Sequence, residues 1–172
     1  MKPEDEARYW RLASYLKIHL IQAYYSKKIV KNMKKYGHLD SSQFGQALIW
    51  GNEPDVVIRP LDNNYCGVER ALGCFEDSSP NAIMLDQNMV ERFQDQPENT
   101  AQNYFFTKNA MHVPIVGGTV LHELCHWGNH KAGHNETREM GVAFELATYG
   151  VVMGMPGHSD FEDDEEEVIK SK

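Results

Sequence analysis

The stretch Gly117–Glu136, GGTVLHELCHWGNHKAGHNE, decides how this chain is read. It places histidines at 122, 126, 130 and 134, an unbroken spacing of four, with Glu123 directly after the first. Val120, Leu121 and Leu124 stand around them, as in a helix that crosses a core. On a helix, residues four apart share a face. His122 and His126 therefore point the same way and can ligate one zinc ion. Glu123 lies one position round, where its carboxylate reaches a water held by the metal. Zinc lowers the pKa of such a water toward about 7, and the carboxylate takes its proton as the water attacks a peptide carbonyl.

A catalytic zinc site needs a third protein ligand. His130 is ill placed: two steps of four beyond His122, it has turned about 80° away, and a straight helix cannot wrap three such residues round one tetrahedral ion. His130 and His134 are expected at the surface near the helix end. A later carboxylate serves better. Glu145, in GVAFELATYG (141–150), follows His126 after eighteen intervening residues, room for a turn and a returning helix. Gly141, one turn earlier on the same face, lets the backbone approach the metal, and Phe144, Leu146 and Ala147 around Glu145 are apolar. The expectation is one zinc per chain on His122, His126 and Glu145, with Glu139 and Glu136 as alternative third ligands and water in the fourth place. Tyr149, one turn past Glu145, and His158, in GMPGHSD, are candidate donors to the developing oxyanion.

Upstream, residues 4–25 (EDEARYWRLASYLKIHLIQAYY) space apolar residues as one long amphipathic helix. SKKIVKNMKKYG continues it or opens a second helix at Ser26, ending at Gly37. DVVIRPL (55–61) and AIMLD (82–86) are strand candidates, separated by the turn-rich CGVERALGCFEDSSPN. NMVERFQDQ reads as a short helix capped by Asn88. The motif helix ends through Gly128 or Gly133, and ETREMGVAFELATYG forms the next, stopped at Gly150. Helix, strands, then a helix pair make an α+β domain, expected to be single over residues 1–172 with an acidic tail from 160.

The 172 residues suffice for one real core, and 41% hydrophobic against 24% charged residues argues for a globular chain over a disordered one. Net charge is −8, much of it in DFEDDEEE (160–167), which argues against nucleic-acid binding. The basic run KKIVKNMKK (27–35) is expected to be an exposed helix face. No apolar run reaches membrane-spanning length, and MKPEDEARYW has neither the basic nor the apolar region of a signal peptide. Of three cysteines, Cys66 and Cys74 can close a small loop in an oxidising compartment, and Cys125 reads as buried apolar filler.

His122-Glu123-x-x-His126 with Glu145 downstream resembles the zincin metallopeptidases that use two histidines and a glutamate. The fuller pair, HELCHWGNHKAG and GVAFELATYG, resembles the metallopeptidase toxin domains of bacterial polymorphic toxins and type VI secretion effectors, over roughly residues 83–150. That resemblance implies an active-site helix on a small mixed sheet, a second ligand-bearing helix, and an edge strand (NAIMLD) that receives extended substrate. It also implies a secreted antibacterial effector without a classical signal peptide, acting on protein in the periplasm or cytoplasm of a target cell, and a cognate immunity protein. The metzincin pattern fails at Asn129 and Ala132, and Tyr149 stands where thermolysin-like enzymes have an aspartate. Two other readings stay open: a zinc-stabilised binding module without catalysis, and a zinc hydrolase of non-protein bonds such as cell-wall crosslinks.

Overall fold

The expected helix over residues 4–25 is broken in a computed structural model of the chain, which describes residues 1–61, 65–67, 71–95, 103–134 and 139–153. It comprises α1 (Pro3–Arg8), α2 (Trp10–Ser14), a π turn (Tyr15–His19) and a 3-10 segment (Leu20–Tyr25). Leu12, Leu16 and Leu20 are all buried. They recur every four residues, slower than the 3.6 of an α-helix, and a wide π turn accommodates that rhythm. Tyr24, four residues beyond Leu20, is exposed.

Helix α3 (Lys27–Tyr36) starts where Ser26 caps it, its hydroxyl accepting from Ile29 N, and ends at Gly37. Asn32 and Met33 face inward, while Lys27, Lys28, Lys31, Lys34 and Lys35 are exposed, as expected for the basic run. Helix α4 (Ser41–Ala47) was not anticipated. Its signal is the capping box of Asp40 and Gln43, which seats the fully buried Phe44.

The sheet is small and mixed. β1 (Asp55–Arg59) runs parallel to β3 (Ala82–Asp86), and β2 (Gly73–Phe75) pairs antiparallel with the other side of β3, giving the order β1-β3-β2. The expectation that NAIMLD forms the edge is therefore corrected. β3 has a partner on both sides, and the edge beside the motif helix is β2, from a stretch read as turns. Helix α5 (Gln87–Asp95) follows β3 directly. Asp86, not Asn88, opens it, accepting from Met89 N at 2.9 Å while its second oxygen takes Leu61 N at 3.2 Å. A hairpin of β4 (Tyr104–Phe106) and β5 (His112–Pro114) leads into α6 (Ile115–Lys131).

Helix α6 is buried on most of its faces between the sheet, α3, α5 and α7 (Met140–Tyr149). Of the two glycines expected to stop it, Gly133 does so, at φ 73°, with Gly133 N donating to His130 O and His134 N to Asn129 O. Gly128 lies inside the helix, where a Cβ would overlap the carbonyl oxygen of Gly37, so its absence lets the end of α3 lie directly on α6. The fold is α+β, as the sequence led us to expect. Among the described residues no helix is long and apolar enough to cross a membrane.

Candidate metal centre

Helix α6 carries His122 and His126 on the face turned toward α7. Their Nε2 atoms lie 3.3 Å apart. One carboxylate oxygen meets both: Glu139 Oε1 is 3.2 Å from His122 Nε2 and 2.8 Å from His126 Nε2. Zinc bonds to nitrogen and oxygen are about 2.0–2.1 Å, which makes a tetrahedral edge about 3.3 Å long. Three donors at these separations have the size of one face of a zinc tetrahedron, and the His/His/carboxylate set suits that ion.

Glu139 comes to this point as the cap of α7. Its Oε1 also accepts from Gly141 N at 3.1 Å and Val142 N at 3.3 Å, so the first turn of the helix fixes the oxygen. Glu145, the expected ligand, is placed differently. It is 2% exposed and accepts from His122 Nδ1 at 2.7 Å through Oε1. Its Oε2 accepts from Met153 N at 2.7 Å. Both oxygens are thus engaged on the far side of the His122 ring from Nε2. Gly141 has the close approach expected of it, but to the imidazole: a Cβ there would overlap the His122 ring.

Glu123 is 4% exposed and lies under β2, where a Cβ on Gly73 would stand 2.7 Å from its Oε1. Burial pushes its carboxyl up from the ordinary range, against the pull of the two histidines. Tyr149 is buried in the core, 5.1 Å from Phe105 and 6.0 Å from Phe144 between ring centres, and burial pushes its phenol up. Its hydroxyl has no hydrogen-bond partner among the described residues. His158 and Glu136 lie outside the described residues. His130 pairs with Asp77 at 2.9 Å, and His134 stacks on His38 with ring centres 4.0 Å apart. Cys125 is buried with its sulfur 3.7 Å from Met33 Sδ. Sequence reasoning missed Gly73, whose signal was slight, a glycine before the only Cys-Phe pair in a turn-rich stretch.

With protons as the only cations, burial would lower the His122 pKa, but its hydrogen bonds to Glu139 and Glu145 outweigh this and raise it from 6.5 to about 10. Burial likewise acts to raise Glu139, and its bonds to His122 and His126 outweigh that and hold it well below 4.5. Folding thus gains from a protonated His122 below pH 6.5, and this gain is lost as pH rises to about 10. The gain from an ionised Glu139 is present above pH 4.5 and lost on acidification. Chelator-treated protein should therefore melt at its highest temperature between these limits, and lower as pH climbs from 6.5 toward 10. A melting temperature that rises over that alkaline range would contradict the network.

The profile of the metallopeptidase toxin 3 family matches residues 5–150. This chain belongs to that family. The match takes in residues 5–82, where the sequence had offered no resemblance, as well as the two site helices. No curated protein and no solved structure matches the chain. As a metallopeptidase toxin it calls for a metal, and the donors on α6 and at the cap of α7 fit one.

Proposed function

We propose that this metallopeptidase toxin domain is a zinc-dependent peptide hydrolase whose metal is held by His122, His126 and Glu139. What supports this reading above all is the meeting of the two Nε2 atoms and Glu139 Oε1 within 3.3 Å of one another, next to the buried Glu123. Bound there, zinc would supply Lewis acidity to a water and to the scissile carbonyl.

The chain's own residues do the rest. Glu145 accepts the Nδ1 proton of His122, which fixes the tautomer and leaves Nε2 free as a donor to the metal. Glu123 is the general base: next to His122 on α6 and enclosed under β2, its carboxylate is placed to take and return a proton. The outer edge of β2 offers backbone groups to an extended peptide beside Glu123. We read Tyr149, buried beside Phe105 and Phe144, as a packing residue and not as a donor to the oxyanion.

In biology we read the domain as an antibacterial secreted effector with a protein substrate and an immunity protein in the producing cell, a reading supported by the family. Zinc-loaded protein should cleave an unstructured substrate such as casein. An excess of 1,10-phenanthroline should stop cleavage, and added zinc should restore it. Production in at least one compartment of a bacterial host, cytoplasm or periplasm, should arrest growth, while the Glu123→Gln chain should not. Cleavage that survives full metal removal would sink the peptidase reading, and an active enzyme harmless in both compartments would sink the effector role.

A further inference from the structure

The strand that lies over Glu123 is a slight one. β2 has three residues, paired to β3 on one side through Gly73–Leu85, Cys74–Met84 and Phe75–Ile83. Side chains alternate across a strand. The Cα of Gly73 looks toward α6 and the Glu123 carboxylate, and Cys74 points to the opposite face, buried against Leu61 and Met84. There Cys74 is joined in a disulfide to Cys66, an exposed residue at φ 61° in a short 3-10 turn. The bridge thus fastens β2 from behind, joining residues with a sequence separation of 8. Three strand residues with one partner strand are weak restraint by themselves, and closing the loop removes much of the remaining freedom.

We propose that the Cys66–Cys74 disulfide is a positioning device for the peptidase site: it holds the β2 backbone against Glu123, and the site becomes competent only once the bridge has formed. Forming it passes two electrons and two protons from the thiols to an external disulfide carrier, which leaves as a dithiol. That exchange is sustained in oxidising compartments and opposed in the reducing cytoplasm. The domain would then be idle where it is made and active after export. The proposal rests on Glu123 being the base. It goes further by coupling the base to a redox step on the other face of the sheet.

The test uses the full zinc-loaded chain before and after reduction by a phosphine, which takes up the oxygen of water as the bridge accepts two electrons and two protons. Casein cleavage should fall about tenfold or more, since a displacement of about 1 Å in a site can cost about a hundredfold. Zinc content should stay the same. Amide hydrogen exchange should speed up across Leu72–Phe75 and stay unchanged in α7. Reoxidation should restore both readings. Cys66→Ser, at an exposed position that leaves the core intact, should match the reduced protein and ignore the phosphine. Cleavage that is indifferent to reduction, or unchanged exchange in β2, overturns this proposal while leaving the peptidase reading in place. No cleavage in either state overturns the peptidase reading, and this proposal with it.

Discussion

Glu123→Gln should cut peptide hydrolysis by roughly 10²–10⁴-fold and leave the metal bound. Glutamine keeps the size and shape of glutamate but cannot accept a proton. Glu123 is nearly enclosed, with β2 directly above it, so a near-isosteric replacement is needed to separate chemistry from packing. Burial already disfavours the charged carboxylate, so removing the charge should not weaken the fold. Zinc content, melting temperature and hydrolysis should be measured on one preparation. Full zinc, an unchanged melting temperature and a collapsed rate make Glu123 the base. A rate near that of the parent removes it from the mechanism and assigns the proton transfer to another group.

The second large effect separates two carboxylates. Glu139→Ala should strip zinc from the site at concentrations that saturate the parent, because it deletes the oxygen that, among the described residues, meets both Nε2 atoms. It also removes the cap of α7, worth about 1 kcal/mol, so some loss of stability should accompany it. Glu139→Asn is the control, since asparagine caps a helix well but is a shorter and neutral donor. Glu145→Gln should retain zinc with an affinity weakened about 10–100-fold, as for a group that acts on a ligand from behind. The opposite order, with zinc lost from the Glu145 variant and kept by the Glu139 variant, would return the third-ligand role to Glu145. Metal titration against a competing chelator reads all three.

The sequence made the motif helix legible because its message is local. Two histidines one turn apart, a carboxylate beside the first and leucines around them need no tertiary knowledge. The same holds for the returning helix and for β3. The third donor was harder, for a reason of geometry. Starting the last helix near residue 136 puts Glu139 in its interior, about 120° round the axis from Glu145, and leaves Glu145 as the carboxylate in reach. Once Glu139 is the capping residue, its side chain folds back over the first turn and the histidines come within its reach. β2 escaped because three residues between a glycine and a turn have no period to detect. The π turn escaped because a spacing of four is read as helical before it is read as slow. Pairing of Cys66 with Cys74 could be suggested but not decided, since it depends on where β2 lies.

The metal site has a stiff half and a loose half. The ring of His122 is wedged between the bare backbone of Gly141 and the buried Glu145, so its torsions are already fixed by folding. Glu139 is 53% exposed at its side chain and hangs from the start of a helix. An ion held there would have one inexpensive gate: when the first turn of α7 frays and its amides let go of the carboxylate, Glu139 can swing toward water while the His122 ring stands still. Exchange of the metal should accordingly follow the fraying of the first turn of α7 and be insensitive to the breathing of α6.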